Sequence, residues 1–304
     1  LSLTFLLLLP SVLFAREGIA FRWIAKQDEP TSTALKMRLK EGQNLQGILL
    51  LRSALEPGGP MLDPSSVETR WGETGLPHYV FYKTPQLALF FAVVKPETLQ
   101  SEPEGVLEFS GKLLNGDRAF QTRERLDFSE QEIKEIARAQ RAREGRPVFV
   151  RNDNGEPIPE AKVFGQRRAD LFGLTDQGGH VVMDRPARSS APVHVARHPE
   201  YWAESFDPLT SPTMKLLPKK GHTQELPIRA KLTGKGGGKI EEVLVFVTSD
   251  YFTVYERGKK IRVPKPLGEG RHALILAAGY RPKKIALSEL FNVESLVELV
   301  PIGE

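Results

Sequence analysis

The feature that most constrains the fold of this chain is a stretch that occurs twice in its C-terminal half. The segment 158–164, Ile-Pro-Glu-Ala-Lys-Val-Phe, is matched by 240–246, Ile-Glu-Glu-Val-Leu-Val-Phe. Each copy is followed by a tyrosine, Tyr201 or Tyr280, and then by a tail that ends in Leu-Pro or Val-Pro. The offset is roughly 80 residues, the size of a small β-sandwich module. The pattern therefore predicts two tandem copies of one small β fold.

Composition agrees with a chain of many short strands. The 304 residues include 23 prolines and 26 glycines, and such frequent turn residues favour strands and turns over long helices. This length corresponds to two or three domains by the usual relation. There is no cysteine, so disulfides, zinc–thiolate sites, thiol nucleophiles and iron–sulfur clusters are excluded. Core packing alone has to stabilise the fold.

The N-terminal segment has the character of an export signal. Residues 1–15 form an apolar run that ends in the small residue Ala15, which is typical of a secretory signal peptide. The run is shorter than the about 20 residues that a membrane-spanning helix needs, and Pro10, Arg16 and Glu17 also argue against one. We therefore predict a signal peptide and an extracytoplasmic location, periplasmic or secreted, for a protein that is not transmembrane. The alternative is a buried N-terminal strand.

The charge excess is small and lies at the C-terminal end. The net charge is +4, and residues 226–304 alone contain 13 basic against 9 acidic side chains. A mild excess of this kind favours an ordinary solvated basic face. Attraction of an anionic polymer or surface is the alternative. We expect no binding of nucleic acid.

Strand patterns cover the N-terminal part. Residues 34–39 and 106–110 alternate between apolar and polar side chains, which predicts strands with one buried face. Residues 87–94 are apolar throughout, which predicts a central strand that is covered on both faces. We expect a β-sandwich over 16–127, with strands at 19–24, 34–39, 47–51, 67–71, 79–82, 87–94, 106–113 and 119–126.

A single helix is predicted after this sandwich, over 129–144. Ser129 followed by Glu132 matches a capping box, and Gly145 is placed to end the helix in a left-handed conformation. The apolar stripe at helical spacing is narrow. We predict a connector helix over 128–145, with a docking helix for a partner as the alternative.

Turn signals define the first of the two copies. Gly155 follows an asparagine and can adopt the positive φ of a tight turn. Pro157 and Pro159 predict a stiff extended crossover. In the sequence Thr-Asp-x-x-Gly that ends at Gly179, the side chain of Asp176 can accept backbone N–H groups and fix the hairpin.

With these elements, residues 146–220 resemble the carboxypeptidase regulatory-like domain, also described as transthyretin-like. The matching text is Val-Arg-Asn-Asp-Asn-Gly-Glu-Pro-Ile-Pro-Glu-Ala-Lys-Val at 150–163 and Thr-Asp-Gln-Gly-Gly-His-Val at 175–181. Residues 226–304 keep the strand order with a glycine-rich turn at 234–238, and are similar to the same domain as a diverged copy. The resemblance implies β-sandwiches and names no substrate.

The expected fold class is therefore all-β: a multi-domain series of Ig-like or transthyretin-like β-sandwiches with one connector helix. The predicted segments are a signal peptide (1–15), a first sandwich (16–127), the helix (128–145), a carboxypeptidase regulatory-like sandwich (146–222) and a diverged copy of it (223–304).

No catalytic, cofactor or metal signature is present. His194 and His198 alternate along a predicted strand and could face one side, with Asp184 or Glu200 as a third ligand. Ordinary surface histidines are the favoured interpretation, because this spacing is not a metal-ligand pattern. We predict no catalytic residue, no cofactor and no metal site.

Two further segments could bind a ligand or form ordinary turns. The glycines of 234–238 precede a strand and lack the hydroxyl residue of a phosphate-binding loop, which favours a flexible turn. Asp153 and Asp176 could contribute to a calcium site, although the spacing of an EF-hand is missing.

Aromatic residues are the best hint of a binding site. Trp71 and Tyr79 lie near a long loop, Trp202 lies in the first copy, and Tyr251 and Tyr255 lie in the second. If they are exposed on a sandwich, they could stack on sugar rings. The alternative is that they are core residues, which aromatics in sandwiches commonly are.

These observations favour a secreted or periplasmic, non-enzymatic protein that binds or scaffolds a protein or polysaccharide partner at the cell envelope. A carbohydrate-binding protein is the second hypothesis. An enzyme whose site lies in the N-terminal loops is the third. The oligomeric state stays open.

Overall fold

The computed structural model describes residues 19–24, 30–51, 57–114, 119–142, 145–165, 172–184, 194–206, 211–248, 251–268 and 271–303. The predicted signal peptide over 1–15 lies outside these residues. The chain divides into two compact units, one that ends at Arg141 and one that begins at Ala142. Both consist mainly of strands in several sheets, so the predicted all-β, multi-sandwich fold class is confirmed.

The first unit contains eight of the described strands and three helices. Its strands are β1 (Ile19–Trp23), β2 (Leu45–Leu51), β3 (Glu68–Trp71), β4 (Thr74–Gly75), β5 (His78–Thr84), β6 (Leu87–Ala92), β7 (Glu104–Lys112) and β8 (Ala119–Asp127). Its helices are α1 (Thr31–Lys40), α2 (Pro96–Ser101) and α3 (Glu130–Arg141). None of these described helices is long and apolar enough to cross a membrane.

Two four-stranded sheets of this unit share an aromatic core. Their strand orders are β1-β2-β6-β5 and β4-β3-β7-β8. The ring of Phe109 on β7 lies 4.5 Å from that of Phe21 on β1 and 4.2 Å from that of Phe90 on β6, measured between centroids. β6 lies between β2 and β5, and its consecutive residues Phe90 and Phe91 are both buried. The central strand predicted over 87–94 is therefore present, and it ends two residues earlier, at Ala92.

The outer face of the second sheet is charged, as expected for a surface exposed to water. Glu108 on β7 pairs with Arg123 at 2.9 Å, and Glu104 pairs with Arg125, both across the β7–β8 ladder. Val106 lies between these acidic residues and is 37% exposed. A single exposed valine among charges is ordinary surface.

Residues 34–39 belong to α1, so the strand predicted there is wrong. Leu35 and Leu39 are fully buried, together with Ala34, whereas Met37 is exposed. Spacing of four residues places the two leucines on one face of a helix. Lysine, methionine, arginine and leucine are good helix formers, and basic residues in the last turn complement the helix dipole. These preferences outweigh the short apolar–polar alternation.

α3 begins as predicted and ends differently. Glu132 N–H donates to Ser129 Oγ (3.2 Å) and Ser129 N–H donates to the Glu132 carboxylate (2.8 Å), which is a capping box. Gly145 starts a strand instead of capping the helix, and a Cβ there would lie 2.0 Å from a backbone oxygen of the adjacent strand. The Lys40–Glu132 ion pair (2.8 Å) joins α3 to α1. The single connector helix over 128–145 is therefore corrected: α3 is one of three helices, and it belongs to the first unit.

The second unit is built from strands alone, apart from short 3-10 turns. Its first half contains β9 (Gly145–Asn152), β10 (Lys162–Gly165), β11 (Phe172–Leu174), β12 (His180–Asp184), β13 (His194–His198), β14 (Tyr201–Phe206) and β15 (Thr213–Leu216). Its second half contains β16 (Thr223–Pro227), β17 (Lys231–Gly234), β18 (Leu244–Thr248), β19 (Tyr251–Val254), β20 (Lys260–Pro264), β21 (His272–Leu276), β22 (Lys283–Ala286) and β23 (Leu296–Leu299).

The two halves of this unit have the same strand order. The sheet β11-β10-β13-β14 of the first half corresponds to β19-β18-β21-β22 of the second. Opposite it, β9 pairs with β12 on one side and in parallel with β15 on the other. In the second half the strand that corresponds to β9 is interrupted at 228–230 and divides into β16 and β17. β16 pairs with β20, and β17 pairs in parallel with β23. The two halves thus share one topology, as expected for the two copies that the repeated stretch predicts.

Each half is closed in the same way by the residues that the repeat singled out. Tyr201 forms a bridge with Pro218, and Tyr280 forms the equivalent bridge with Pro301. Each half also has its own core of buried aliphatic residues. Val150 and Val163 lie in the first core, and Val245, Ile275 and Val297 are among those in the second.

The turns of the first half match their sequence signals. Asp176 Oδ1 accepts the backbone N–H groups of Gly178 and His180, each at 2.9 Å. These bonds lower the pKa of Asp176, with the bond from His180 as the largest cause. Gly155 has a φ of 85° with open space where a Cβ would be. The predicted roles of these two residues in fixing turns are confirmed.

Candidate functional site

Two of the aromatic candidates belong to the core of the first unit. Trp71 is fully buried, and its indole N–H donates to the backbone oxygen of Glu102 at 2.8 Å. Tyr79 is 7% exposed. A ring that stacks on a sugar has to offer a face to solvent. The structure therefore favours the core interpretation for both residues over the sugar-stacking one.

Two other candidates meet at the junction between the halves of the second unit. The rings of Trp202 on β14 and Tyr251 on β19 lie 6.3 Å apart, nearly perpendicular. Trp202 is 2% exposed. Close by, Arg271 before β21 pairs with Glu204 on β14 at 2.6 Å. Aromatic and ionic contacts thus join the two sandwiches, and these two aromatics have a structural role.

The linker between the halves is also held at this junction. The backbone oxygen of His222 accepts the indole N–H of Trp202 (2.9 Å) from the first half. It also accepts the backbone N–H of Lys265 (3.0 Å) from the second half. One carbonyl oxygen therefore has a partner in each sandwich, and we name this arrangement the junction clamp.

The fifth aromatic candidate, Tyr255, stabilises the second half from within. Its hydroxyl donates to the backbone oxygen of Ala230 at 2.5 Å, in the segment that interrupts the strand between β16 and β17. Partial burial raises the pKa of Tyr255. The side chain replaces a strand hydrogen bond where the ladder is broken.

The histidine and carboxylate candidates whose side chains the structure describes do not come together as a metal site. The side chains of His194 and Asp184 lie outside the described residues. His198 Nδ1 contacts the backbone N–H of Glu200 at 3.2 Å, and burial lowers the pKa of this histidine. Asp153 is exposed, and Asp176 is engaged in its own turn. Among the side chains that the structure describes, no group of three histidine, aspartate or glutamate residues could hold a metal ion.

In the glycine-rich segment 234–238, Gly234 is the buried end of β17, and residues 235–238 form an exposed turn. Gly236 and Gly237 have positive φ values of 75° and 85°. The chain continues through an irregular stretch into β18. No helix N-terminus follows to bind a phosphate group, so the interpretation as a turn is supported.

A surface that the sequence interpretation missed lies on β23. Five large hydrophobic residues are exposed in the described part of the chain, and three of them lie within eight residues of one another: Val293 (59%), Leu296 (59%) and Val300 (37%). Along β23, Val297 and Leu299 point into the core. The alternate residues therefore point outward, as the period of a strand requires.

The neighbours of these residues complete the surface. Lys231 on β17 lies opposite Leu296, and Thr233 lies opposite Glu298, in the parallel β17–β23 ladder. Lys231 and Glu298 are exposed. We name the outward residues of this ladder and the loop before it the β23 face: Lys231, Val293, Leu296, Glu298 and Val300.

The equivalent strand of the first half shows that this apolar character is not demanded by the fold. β15 holds the same place as β23, and its residues Thr213 and Lys215 stand where Leu296 and Glu298 stand in the second half. The leucine thus replaces a polar residue at a position that is 59% exposed. The sequence signal was the nearly continuous apolar run of β23, where a strand with one wet face should alternate.

No protein-family model matches this chain, and no curated protein matches it. The solved structures similar to it include Protocadherin Gamma B7 extracellular cadherin domains 1–4, at 8% sequence identity over 88% of this chain and 89% of that chain. The TM-score of this match is 0.17, which is too low for the likeness to carry an argument about fold or function.

Proposed function

We propose that this protein is a non-enzymatic binding or scaffold protein that contacts a protein partner through the β23 face. The observation that carries the proposal is the exposure of three aliphatic residues within one short segment: Val293 in the turn before β23, Leu296 on β23 and Val300 directly after it. Clustered exposed apolar residues that are rimmed by polar ones mark interaction sites more often than isolated residues do.

The joined sandwiches support this function. The Trp202–Tyr251 contact, the Glu204–Arg271 ion pair and the junction clamp connect the two halves. A binding strand on such a framework loses little conformational freedom when a partner docks, which favours affinity. The burial of Trp71, Tyr79 and Trp202 removes the main support for a carbohydrate-binding role.

The proposal also includes an extracytoplasmic location and membership of both halves of the second unit in one domain family. Residues 1–15 support export, and N-terminal sequencing of the native protein should give Arg16 as the first residue; a native chain that retains 1–15 would contradict export. The turn at Asp176 and the shared strand order support membership of both halves in the carboxypeptidase regulatory-like class.

The binding role is tested with matched surface variants. Val300 and Val106 are each 37% exposed, the first on the β23 face and the second on the charged sheet of the first unit. Full-length protein should retain a partner from a native envelope extract, and Val300→Asp or Leu296→Asp should abolish the retention. Val106→Asp should leave it unchanged. Equal retention by all variants would overturn the assignment of the β23 face.

A further inference from the structure

The β23 face carries charges of both signs around its apolar centre. Lys231 and Glu298 are both exposed and lie diagonally across the β17–β23 ladder, two residue pairs apart and on the same face. Neither side chain forms an ion pair with another described residue. The face therefore presents an ammonium group, a carboxylate and three aliphatic side chains toward solvent.

Two backbone carbonyl groups on the outer edge of β23 are already bonded, which disfavours pairing with another strand. The backbone oxygen of Glu298 accepts the Nζ of Lys283 at 2.8 Å, and that of Val300 accepts the N–H of Arg281 at 2.8 Å. These carbonyl groups lie on the side of β23 that faces away from β17. Because these two acceptors are already bonded, docking on side chains is favoured over addition of a strand to the edge.

The charge pattern indicates what kind of partner fits. An acidic peptide or an anionic membrane would be matched by a face with lysines alone, and Glu298 at the centre opposes both. A face that holds one charge of each sign beside an apolar strip complements a copy of itself. In a two-fold interface residue i contacts residue j and j contacts i, so Lys231 can meet Glu298 of the partner subunit twice.

We propose, building on the binding function above, that the partner of the β23 face is a second copy of this chain. Two copies pack the aliphatic strips of Val293, Leu296 and Val300 against each other, and two Lys231–Glu298 ion pairs set the register. Stable interfaces bury about 800 Å² per partner. Three aliphatic residues on and beside one two-stranded ladder fall short of that size, so the dimer is weak, with a dissociation constant in the micromolar range.

Sedimentation velocity of the full chain from about 1 to 200 µM tests the proposal across that range. The wild-type protein should shift from monomer to dimer with concentration. Leu296→Glu should abolish the shift, and Val106→Glu, a control on the first unit, should leave it intact. Far-UV circular dichroism and thermal melting confirm that each variant is folded.

A charge exchange separates self-association from other modes of docking. Lys231→Glu alone and Glu298→Lys alone should each weaken the dimer about tenfold or more, because like charges then face each other. The double variant Lys231→Glu/Glu298→Lys should restore the wild-type dimer to within about threefold. A foreign charged partner would instead lose contact with the double variant.

The outcomes distinguish this inference from the binding function on which it rests. A wild-type chain that stays monomeric at every concentration, or a dimer that is insensitive to Leu296→Glu, would overturn self-association. If the chain is monomeric and Leu296→Asp still abolishes retention of another protein, the binding function stands and only the second copy is wrong. If the β23 variants alter neither measurement, both proposals are wrong.

Discussion

At the scale of single residues, the turn chemistry of the first sandwich follows closely from its sequence. Asp176 and Gly155 behave as their neighbours in sequence predict, because an Asx turn and a positive φ depend on local backbone geometry. The burial of the five aromatic candidates did not follow from the sequence. Whether a Trp or Tyr is buried depends on sheets that are far apart in sequence, and that information is not local.

Thr175 is the residue whose hydrogen bonds offer the sharpest test at this scale. Its buried hydroxyl accepts the N–H of Ala161 (2.8 Å) and donates to the oxygen of Ile158 (2.7 Å). Thr175→Val keeps the shape but removes both bonds and leaves buried polar groups unpaired. We expect a loss of about 1–3 kcal/mol in the free energy of unfolding, measured by hydrogen exchange of amides in 145–216.

The control for this variant is Thr74→Val, in an exposed position on β4. It should change neither stability nor exchange. Unaltered protection around Ala161 in Thr175→Val would show that the hydroxyl contributes nothing to the turn.

At the scale of elements, α1 and α3 show what local patterns can and cannot decide. The capping box of α3 consists of two residues that are three positions apart in the sequence, so the start of this helix was predictable. The segment of α1 was predicted as a strand, because six of its residues fit a period of two. In the structure, Leu35 and Leu39 share the buried face of a helix. Short amphipathic segments are ambiguous between the two periods, and packing partners decide between them.

The capping residue Glu132 predicts a pH dependence of the helix contact. The hydrogen bond from Lys40, followed by that from the Ser129 N–H, lowers the pKa of Glu132 from 4.5 to about 2. Because the folded-state pKa is depressed, the carboxylate stabilises the fold above pH 4.5, and this contribution is lost as the pH falls from 4.5 toward 2. Glu132→Gln keeps the capping geometry and removes the charge.

We expect the melting temperature of Glu132→Gln to lie below that of wild type at neutral pH, and the gap to narrow toward about pH 3. Glu73→Gln, in the exposed turn between β3 and β4, should show no gap at any pH. A gap that stays constant from neutral to acid pH would mean that ionisation of Glu132 does not stabilise the α1–α3 contact.

At the scale of the whole molecule, the repeated stretch predicted more than any other signal. It indicated two copies of one fold, and the structure shows the same strand order in both halves of the second unit. It could not predict that the halves are joined through Trp202, Tyr251, Glu204 and Arg271. These contacts lie between the two halves, and the repeated pattern describes only the strands within each half.

The junction clamp predicts how firmly the linker is held. Trp202→Phe keeps a six-membered aromatic ring but removes the five-membered ring of the indole, and with it the N–H that donates to the oxygen of His222. A lost hydrogen bond of about 1 kcal/mol corresponds to about fivefold more frequent local opening. Trypsin should therefore cleave after Lys219 or Lys220 about fivefold faster in this variant under native conditions.

Trp71→Phe is the matched control, since it also removes a buried indole bond to a backbone oxygen but in the first unit. It should leave the rate of linker cleavage unchanged. Equal cleavage rates in Trp202→Phe and wild type would show that the linker is held by other contacts.

The interruption at 228–230 has a mechanical consequence for the second sandwich. In the first sandwich one continuous strand, β9, bonds to both β12 and β15, so a pull on either neighbour is transmitted to the other. In the second, β16–β20 and β17–β23 are separate ladders. Force applied to β23 therefore passes through backbone hydrogen bonds to β17 and the Tyr280–Pro301 bridge, and it reaches the β16–β20 ladder only through the shared core and the segment 228–230.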